Sequence, residues 1–204
     1  MKKQSTKEKI LKTAARIFSD KGYKETTIRM IADAAKVNVA AVNYHYGDKE
    51  KLYLEVIRYW AEDAFADFPE ELISGDTLSP EEYIRLFILH TLFCLLGKNG
   101  KGTGFGRLLA MEAAISPSSV VGEVLADTIG KPTENLKKAV AELTKENDPV
   151  TLKTFTACIV GQTVYFYLSR HLITLLFGME SPECEADIRV LAENIYRFAM
   201  RGIR

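Results

Sequence analysis

The sequence predicts an all-α protein, and three observations carry that prediction. Apolar residues recur at three- and four-residue spacing along nearly the whole chain. No stretch alternates apolar and polar residues in the manner of a half-buried strand. Three helix starts share one pattern, a capping residue, then Pro, then acids or a polar turn: Ser79-Pro80-Glu81-Glu82, Asp148-Pro149 and Ser181-Pro182-Glu183. With 204 residues, 47% of them hydrophobic, the chain is long enough for one large domain or two small ones around a buried core.

Ser5 and Glu8 have the spacing of a capping box, and Ile10, Leu11, Ala14, Ile17 and Phe18 give the first helix one apolar face up to Gly22. Thr26 and Thr27 cap a short second helix whose Ile28, Ile31, Ala32 and Ala35 point one way. Asn38 caps an equally short third helix that ends at Gly47, and Asp48 caps a fourth, expected from Lys49 to about Phe68 and closed off by Pro69 and Gly75. Helical patterns follow over 83–96, 105–114, 118–128 and 133–145. The stretch from Val150 to Phe177 is apolar nearly all round, so a central helix buried on several sides is expected there. Ile188, Leu191, Ile195, Phe198 and Ala199 make a final amphipathic helix, with Leu191 expected on its outer face.

Composition excludes several classes. The chain opens on a charged amphipathic segment and not an apolar leader, so no signal peptide is expected. Gln162, Arg170 and His171 interrupt the most apolar stretch, which argues against a lipid-exposed span. Three widely spaced cysteines, Cys94, Cys158 and Cys184, do not make a disulfide framework. A cytoplasmic protein with no membrane partner is the expectation. Although 27 basic residues balance 27 acidic ones, residues 1–60 carry 13 basic against 7 acidic side chains, an excess of six positive charges. A basic first part on an acidic remainder points to a polyanion at one end.

The second and third helices, about ten and eight residues long with a tight connection, have the dimensions of a helix-turn-helix. Small Ala34 and Ala35 precede the turn, and Val37 sits inside it. Val42 and Tyr46, four residues apart, face the core, which leaves Ala40, Ala41, Asn43, Tyr44 and His45 outward. Small side chains let a helix backbone approach base edges. Asn43 can pair with adenine, and Val39 or Ala41 can contact a thymine methyl. Thr26, Thr27 and Arg29 stand at a positively polarised helix N-terminus suited to a phosphate, and Lys49 can reach the backbone from the other side. Singly, each of these residues has a plain alternative, as a cap, a solvated charge or a packed ring. Their joint spacing and the local charge favour double-stranded DNA.

The run Thr26-Thr27-Ile28-Arg29-Met30-Ile31-Ala32, continued by Val37 to Leu52 with Tyr44-His45-Tyr46 and Lys49-Glu50-x-Leu52, resembles the TetR-family DNA-binding signature over residues 5–64. Phe105 to Glu112 and Gly161 to Phe166 resemble the CecR-type C-terminal domain of that family. The resemblance implies a helix-turn-helix domain over 1–64, a helical ligand-binding and dimerisation bundle over 65–204, and a homodimer on a palindromic operator. It also implies a repressor released by a small molecule. Thr or Ser is frequent in the family where Ala41 stands, and an aromatic where Asn43 stands.

For the small molecule, the expected cage combines Trp60, Phe65, His90, Phe93, Cys94, Met111 and Tyr165 with the polar Arg107, Glu112 and Gln162, which suits an apolar or aromatic inducer. Excess apolar surface after residue 150 assigns dimerisation to the last two helices. Other motifs fail. The glycine-rich run 97–106 has Thr103 where a phosphate loop needs Lys, so an interhelical loop is expected. His90 and Cys94 stand at i, i+4 without a second ligand pair, so neither metal nor cofactor is expected. No nucleophile motif supports an enzyme. The competing expectation is a ligand-binding or enzymatic bundle whose N-terminal helices touch only protein.

Overall fold

The computed structural model describes residues 5–97, 103–107, 110 and 119–203. Among these, every regular element is a helix. Helix α1 (Thr6–Glu25) is capped by Ser5, whose hydroxyl accepts the Glu8 N–H at 3.1 Å. Gly22, at φ 75° and ψ 174°, breaks the helix inside its last turn, a conformation that only glycine adopts without strain. Helix α2 (Ile28–Ala35) starts at Thr27, which accepts the Met30 N–H at 3.2 Å. Lys36 closes it in the left-handed region, φ 53°. Asn38 accepts the Ala41 N–H at 2.7 Å and starts α3 (Val39–Tyr46). Asp48 caps α4 (Lys49–Phe65).

These four helices enclose Ile10, Ala14, Phe18, Ile31, Ala35, Val42, Leu52 and Val56, all fully buried. The rings of Phe18 and Tyr23 each meet Tyr53, at 4.8 and 4.9 Å between centroids. Tyr46 ties α3 to α1 by donating its hydroxyl to the Lys7 carbonyl at 2.7 Å, and burial pushes that phenol up to about 12.

Beyond the N-terminal unit the structure corrects several boundaries. Helix α4 stops three residues short of Phe68, and a further short helix, α5 (Glu70–Ser74), fills the gap that Pro69 and Gly75 were expected only to close. Gly75, at φ 78°, lies so close to Asn135 that an added Cβ would stand 2.7 Å from its carboxamide carbon. Helix α6 (Pro80–Leu96) begins at the expected cap, with Ser79 and Glu82 satisfying each other reciprocally. Residues 104–107 form a helical turn; most of the expected helix 105–114, and residues 98–102 of the glycine-rich run, lie outside the described residues.

The two patterns 118–128 and 133–145 are one helix, α7 (Ser119–Thr144), which passes through Pro132. Proline removes one backbone N–H. Around it, the Tyr83 hydroxyl lies between Leu72 O at 2.7 Å and Pro132 O at 2.9 Å, and the Thr133 hydroxyl donates to Ile129 O at 2.7 Å.

The expected central helix 150–177 is instead two, α8 (Pro149–Leu168) and α9 (Arg170–Phe177), separated at Ser169. Neither is central. Leu172, Leu175, Leu176 and Phe177 of α9 are exposed, and α8 buries one face through Thr156, Ile159, Thr163 and Tyr167. The central place belongs to α6, which packs on α7, α8 and the last helix, α10 (Glu185–Gly202). Helix α10 starts three residues later than Ser181-Pro182 predicted, because the Asp187 carboxylate accepts the backbone N–H groups of Glu183 and Cys184 at 3.1 and 3.2 Å. Leu191 faces the core; Val190 and Phe198 are the apolar residues that face outward. Among the described residues no helix is long and apolar enough to cross a membrane.

Candidate functional site

Two places in this fold gather candidate residues: the outer face of α2–turn–α3, and a pocket at the far end of α4. At the first, Val42 and Tyr46 anchor α3 in the core, as their spacing predicts. Val39, Ala40, Asn43 and Tyr44 face outward, Tyr44 with 87% of its surface exposed, while Ala41 and His45 are half-buried. Tyr44 and His45 meet edge to face at 5.2 Å. Arg29 is exposed in the first turn of α2, beside the Thr27 cap. The α2 and α3 N-termini are thus both set by neutral caps, and the outward row of α3 carries no internal packing role.

Two of the predicted contact residues are not available in this way. Thr26 is wholly buried, and its hydroxyl donates to the Gly22 carbonyl at 2.7 Å, repairing the backbone where α1 breaks. Lys49 is half-buried; its ammonium donates to the carbonyls of Tyr23 and Thr26 at 2.9 and 3.0 Å and lies 4.2 Å from the Tyr23 ring centre. It braces the start of α4 against the end of α1, a position where carbonyl oxygens point out of the helix and attract a cation.

The second place is a pocket of about 480 Å³ walled by the end of α4 and its extension (Asp63, Ala64, Asp67, Phe68), by α6 (His90, Phe93, Cys94, with Gly97), by Thr103, and by the start of α10 (Glu185, Arg189). His90 meets the rings of Phe68 and Phe93 edge to face, each at 6.0 Å. The Arg189 guanidinium lies 5.6 Å from the Phe93 ring centre and is held by Glu185 at 2.6 and 3.1 Å. The Cys94 thiol donates to the Ala64 carbonyl at 3.1 Å, and burial, with Asp67 nearby, pushes it up to about 12. A thiol so held keeps its proton and makes a poor metal ligand. Among the described residues no three His, Cys, Asp or Glu side chains converge on a metal site.

Of the expected cage, His90, Phe93 and Cys94 therefore come together, and the remainder is dispersed. Phe65 packs against Phe68 and Phe105 and lines a different cavity, about 410 Å³, on the α7 side of α4. Trp60 is closed off: Gly104 lies against its indole so tightly that a Cβ there would be 2.3 Å from Nε1. Arg107 turns outward and reaches the Ser19 hydroxyl of α1 at 3.4 Å. Tyr165 is exposed on the outer face of α8. Gln162 is half-buried, and its Oε1 is buried with no hydrogen-bond partner among the described residues. Met111 and Glu112 lie outside the described residues. The sequence pattern did not point to Asp63, Asp67, Glu185 or Arg189; the i, i+4 spacings of 63 with 67 and of 185 with 189 were signals that each pair shares a helix face.

Comparison with known proteins identifies the family of both parts of the chain. Residues 10–56 match the family described as bacterial regulatory proteins, tetR family, and residues 80–203 match the C-terminal domain of the HTH-type transcriptional dual regulator CecR. The probable HTH-type transcriptional regulator YttP of Bacillus subtilis (strain 168) is 26% identical over 150 residues, 74% of this chain and 70% of that protein. The HTH-type transcriptional repressor KstR2 of Rhodococcus jostii (strain RHA1) is 33% identical over 73 residues, 36% of each chain. Among solved structures, AibR in complex with isovaleryl coenzyme A and operator DNA superposes with a TM-score of 0.65 at 21% identity, over 95% of this chain and 97% of that one.

Proposed function

The chain belongs to the TetR family of DNA-binding transcriptional regulators, with a CecR-type C-terminal domain, and on that premise we propose that it represses transcription as a homodimer on a palindromic operator and lets go when a small molecule occupies its C-terminal part. In this reading residues 1–64 bind DNA and residues 65–204 bind the effector and the second subunit. One observation carries it: the row Val39, Ala40, Asn43, Tyr44 is exposed on a helix that Val42 and Tyr46 hold rigidly. Such a row fits the major groove, where Asn43 pairs with adenine and Val39 or the half-buried Ala41 touches a thymine methyl. Tyr44 and His45 flank the groove, and Arg29 with the exposed N-terminus of α2 at Thr27 holds a phosphate. Thr26 and Lys49 act indirectly, by fixing the α1–α4 frame.

Dimerisation through the outer faces of α8 and α10 would cover Tyr165, Val190 and Phe198, all exposed in the protomer. The effector site is the pocket of Phe68, His90, Phe93 and Cys94. Two routes lead from it to the DNA-binding unit: α4 itself, and residues 103–107, whose Thr103 lines the pocket and whose Arg107 touches Ser19. A ligand that favours another α4 angle alters the spacing of the two recognition helices, which must match one turn of DNA, about 34–36 Å. About 1–3 kcal/mol of coupling weakens binding 5- to 150-fold. The chemistry is recognition, with no catalytic step assigned.

Selection of bound DNA from a random pool tests this reading. A palindromic consensus is expected, and Asn43→Ala should alter base preference at one position of each half-site, worth about 1–3 kcal/mol. Recovery of unselected sequence by the unaltered chain would overturn it.

A further inference from the structure

Resting on the reading of the 480 Å³ pocket as the effector site, we propose that the effector is an organic cation with an aromatic or apolar body, such as a lipophilic amine or quaternary ammonium or phosphonium. The described wall combines an aromatic side with an acidic rim. Phe68, His90 and Phe93 present rings to the cavity, and Asp63, Asp67 and Glu185 set three carboxylates against the single guanidinium of Arg189. Rings offer their negative faces to a cation, and carboxylates concentrate cations in a partly enclosed space.

The chain already shows this recognition with its own residue. Arg189 lies over the Phe93 ring and is clasped by Glu185, so one cation occupies the aromatic–acid site in the free protein. A ligand cation takes the same kind of place between Phe93, Phe68 and the aspartates of α4. Because Asp63 and Asp67 belong to α4 or its direct extension, a cation drawn to them pulls on the helix that continues to the DNA-binding unit. Anionic ligands meet the opposite field.

The test uses two ions of nearly equal size and shape, tetraphenylphosphonium and tetraphenylborate, titrated calorimetrically into the full-length protein, with operator affinity followed in parallel. The cation should bind at least tenfold more tightly than the anion. D63N/D67N should weaken the cation about tenfold, by loss of two rim charges. Glu142→Gln, a single carboxylate neutralised outside the pocket, and Lys98→Gln/Lys101→Gln, between Gly97 and Thr103, should not weaken it. If D63N/D67N fails to fold, Phe93→Leu, which removes the aromatic face, must produce the loss instead. Equal binding of the two ions, tighter binding of the anion, or binding of neither overturns the inferred ligand class and leaves operator recognition intact. Cation binding that leaves operator affinity unchanged upholds the class for this pocket and overturns its role as the effector site.

Discussion

The two ends of α4 lie in differently built surroundings. At its start, each of the helices α1 to α4 begins with a side-chain cap, the core residues are fully buried, and even a lysine is consumed as an internal brace. At its other end, cavities of about 480 and 410 Å³ border the helix, and further out α8 and α9 leave large apolar side chains in solvent. A reader of base edges must hold its side chains to a fraction of an ångström, whereas a sensor must accommodate something that is not always there. One helix joins the close-packed frame to the part that holds the cavities, so in the proposed function a ligand there would change the angle of the reader without changing its shape.

The comparison breaks most completely if the outer face of the C-terminal part is closed to a second copy. Phe198 is 68% exposed, on the side of α10 opposite its buried Ile188, Leu191 and Ile195. Phe198→Glu should give monomers in light scattering and abolish operator binding in gel shifts, while circular dichroism and melting of the monomer change little, because the side chain supports nothing within the protomer. A dimer that survives this substitution would move the interface elsewhere.

A smaller effect separates close packing from open space inside the C-terminal part itself. A Cβ on Gly106 would stand 2.5 Å from the Leu95 carbonyl oxygen and 2.7 Å from the Tyr167 ring, whereas one on Gly130 in α7 would meet no described atom within 4 Å beyond its own stretch of helix. Gly106→Ala should destabilise by about 1–3 kcal/mol as an overpacked site. Gly130→Ala should stabilise by about 0.5–1 kcal/mol, because alanine loses less entropy in a helix. Denaturant melts of the two variants should therefore move in opposite directions. Equal shifts would mean that residues 103–107 yield easily and cannot transmit strain to Ser19.

Local rules made the N-terminal unit legible. Ser5, Thr27, Asn38 and Asp48 cap within three residues of themselves, so their roles are written in adjacent sequence. What depends on distant partners was not. The joining of two expected helices into α7 sets Pro132 O 2.9 Å from the Tyr83 hydroxyl, 49 residues away in the chain. The apolar stretch 150–177 announces burial without saying by what, and the structure leaves Leu172, Leu175, Leu176 and Phe177 of it exposed. The pocket was half legible for the same reason: His90, Phe93 and Cys94 share a helix, but Trp60 and Arg107 were placed by Gly104 and Ser19, whose positions no local pattern predicts.

The finest distinction lies within the reading end, between a charge proposed to meet DNA and one that holds the frame. Arg29 is exposed beside the α2 N-terminus; Lys49 spends its ammonium on the Tyr23 and Thr26 carbonyls and on the Tyr23 ring. Both are cations near the same surface, and both should lower operator affinity when removed. The causes differ, and so should the salt dependence. Each phosphate contact releases counterions with a slope of about 0.9 per charge, and a dimer carries each residue twice. Arg29→Ala should thus flatten the plot of log affinity against log salt by about two units with an unchanged melting temperature. Lys49→Met should leave the slope nearly as it was and lower stability by about 1–2 kcal/mol, through loss of charged hydrogen bonds that are partly screened by solvent. Operator titrations at four salt concentrations, paired with thermal melts, separate the two. A slope that falls for Lys49→Met as it does for Arg29→Ala would show that the ammonium leaves its carbonyls for a phosphate when DNA arrives, and the frame at this end of α4 would then be less rigid than its hydrogen bonds imply.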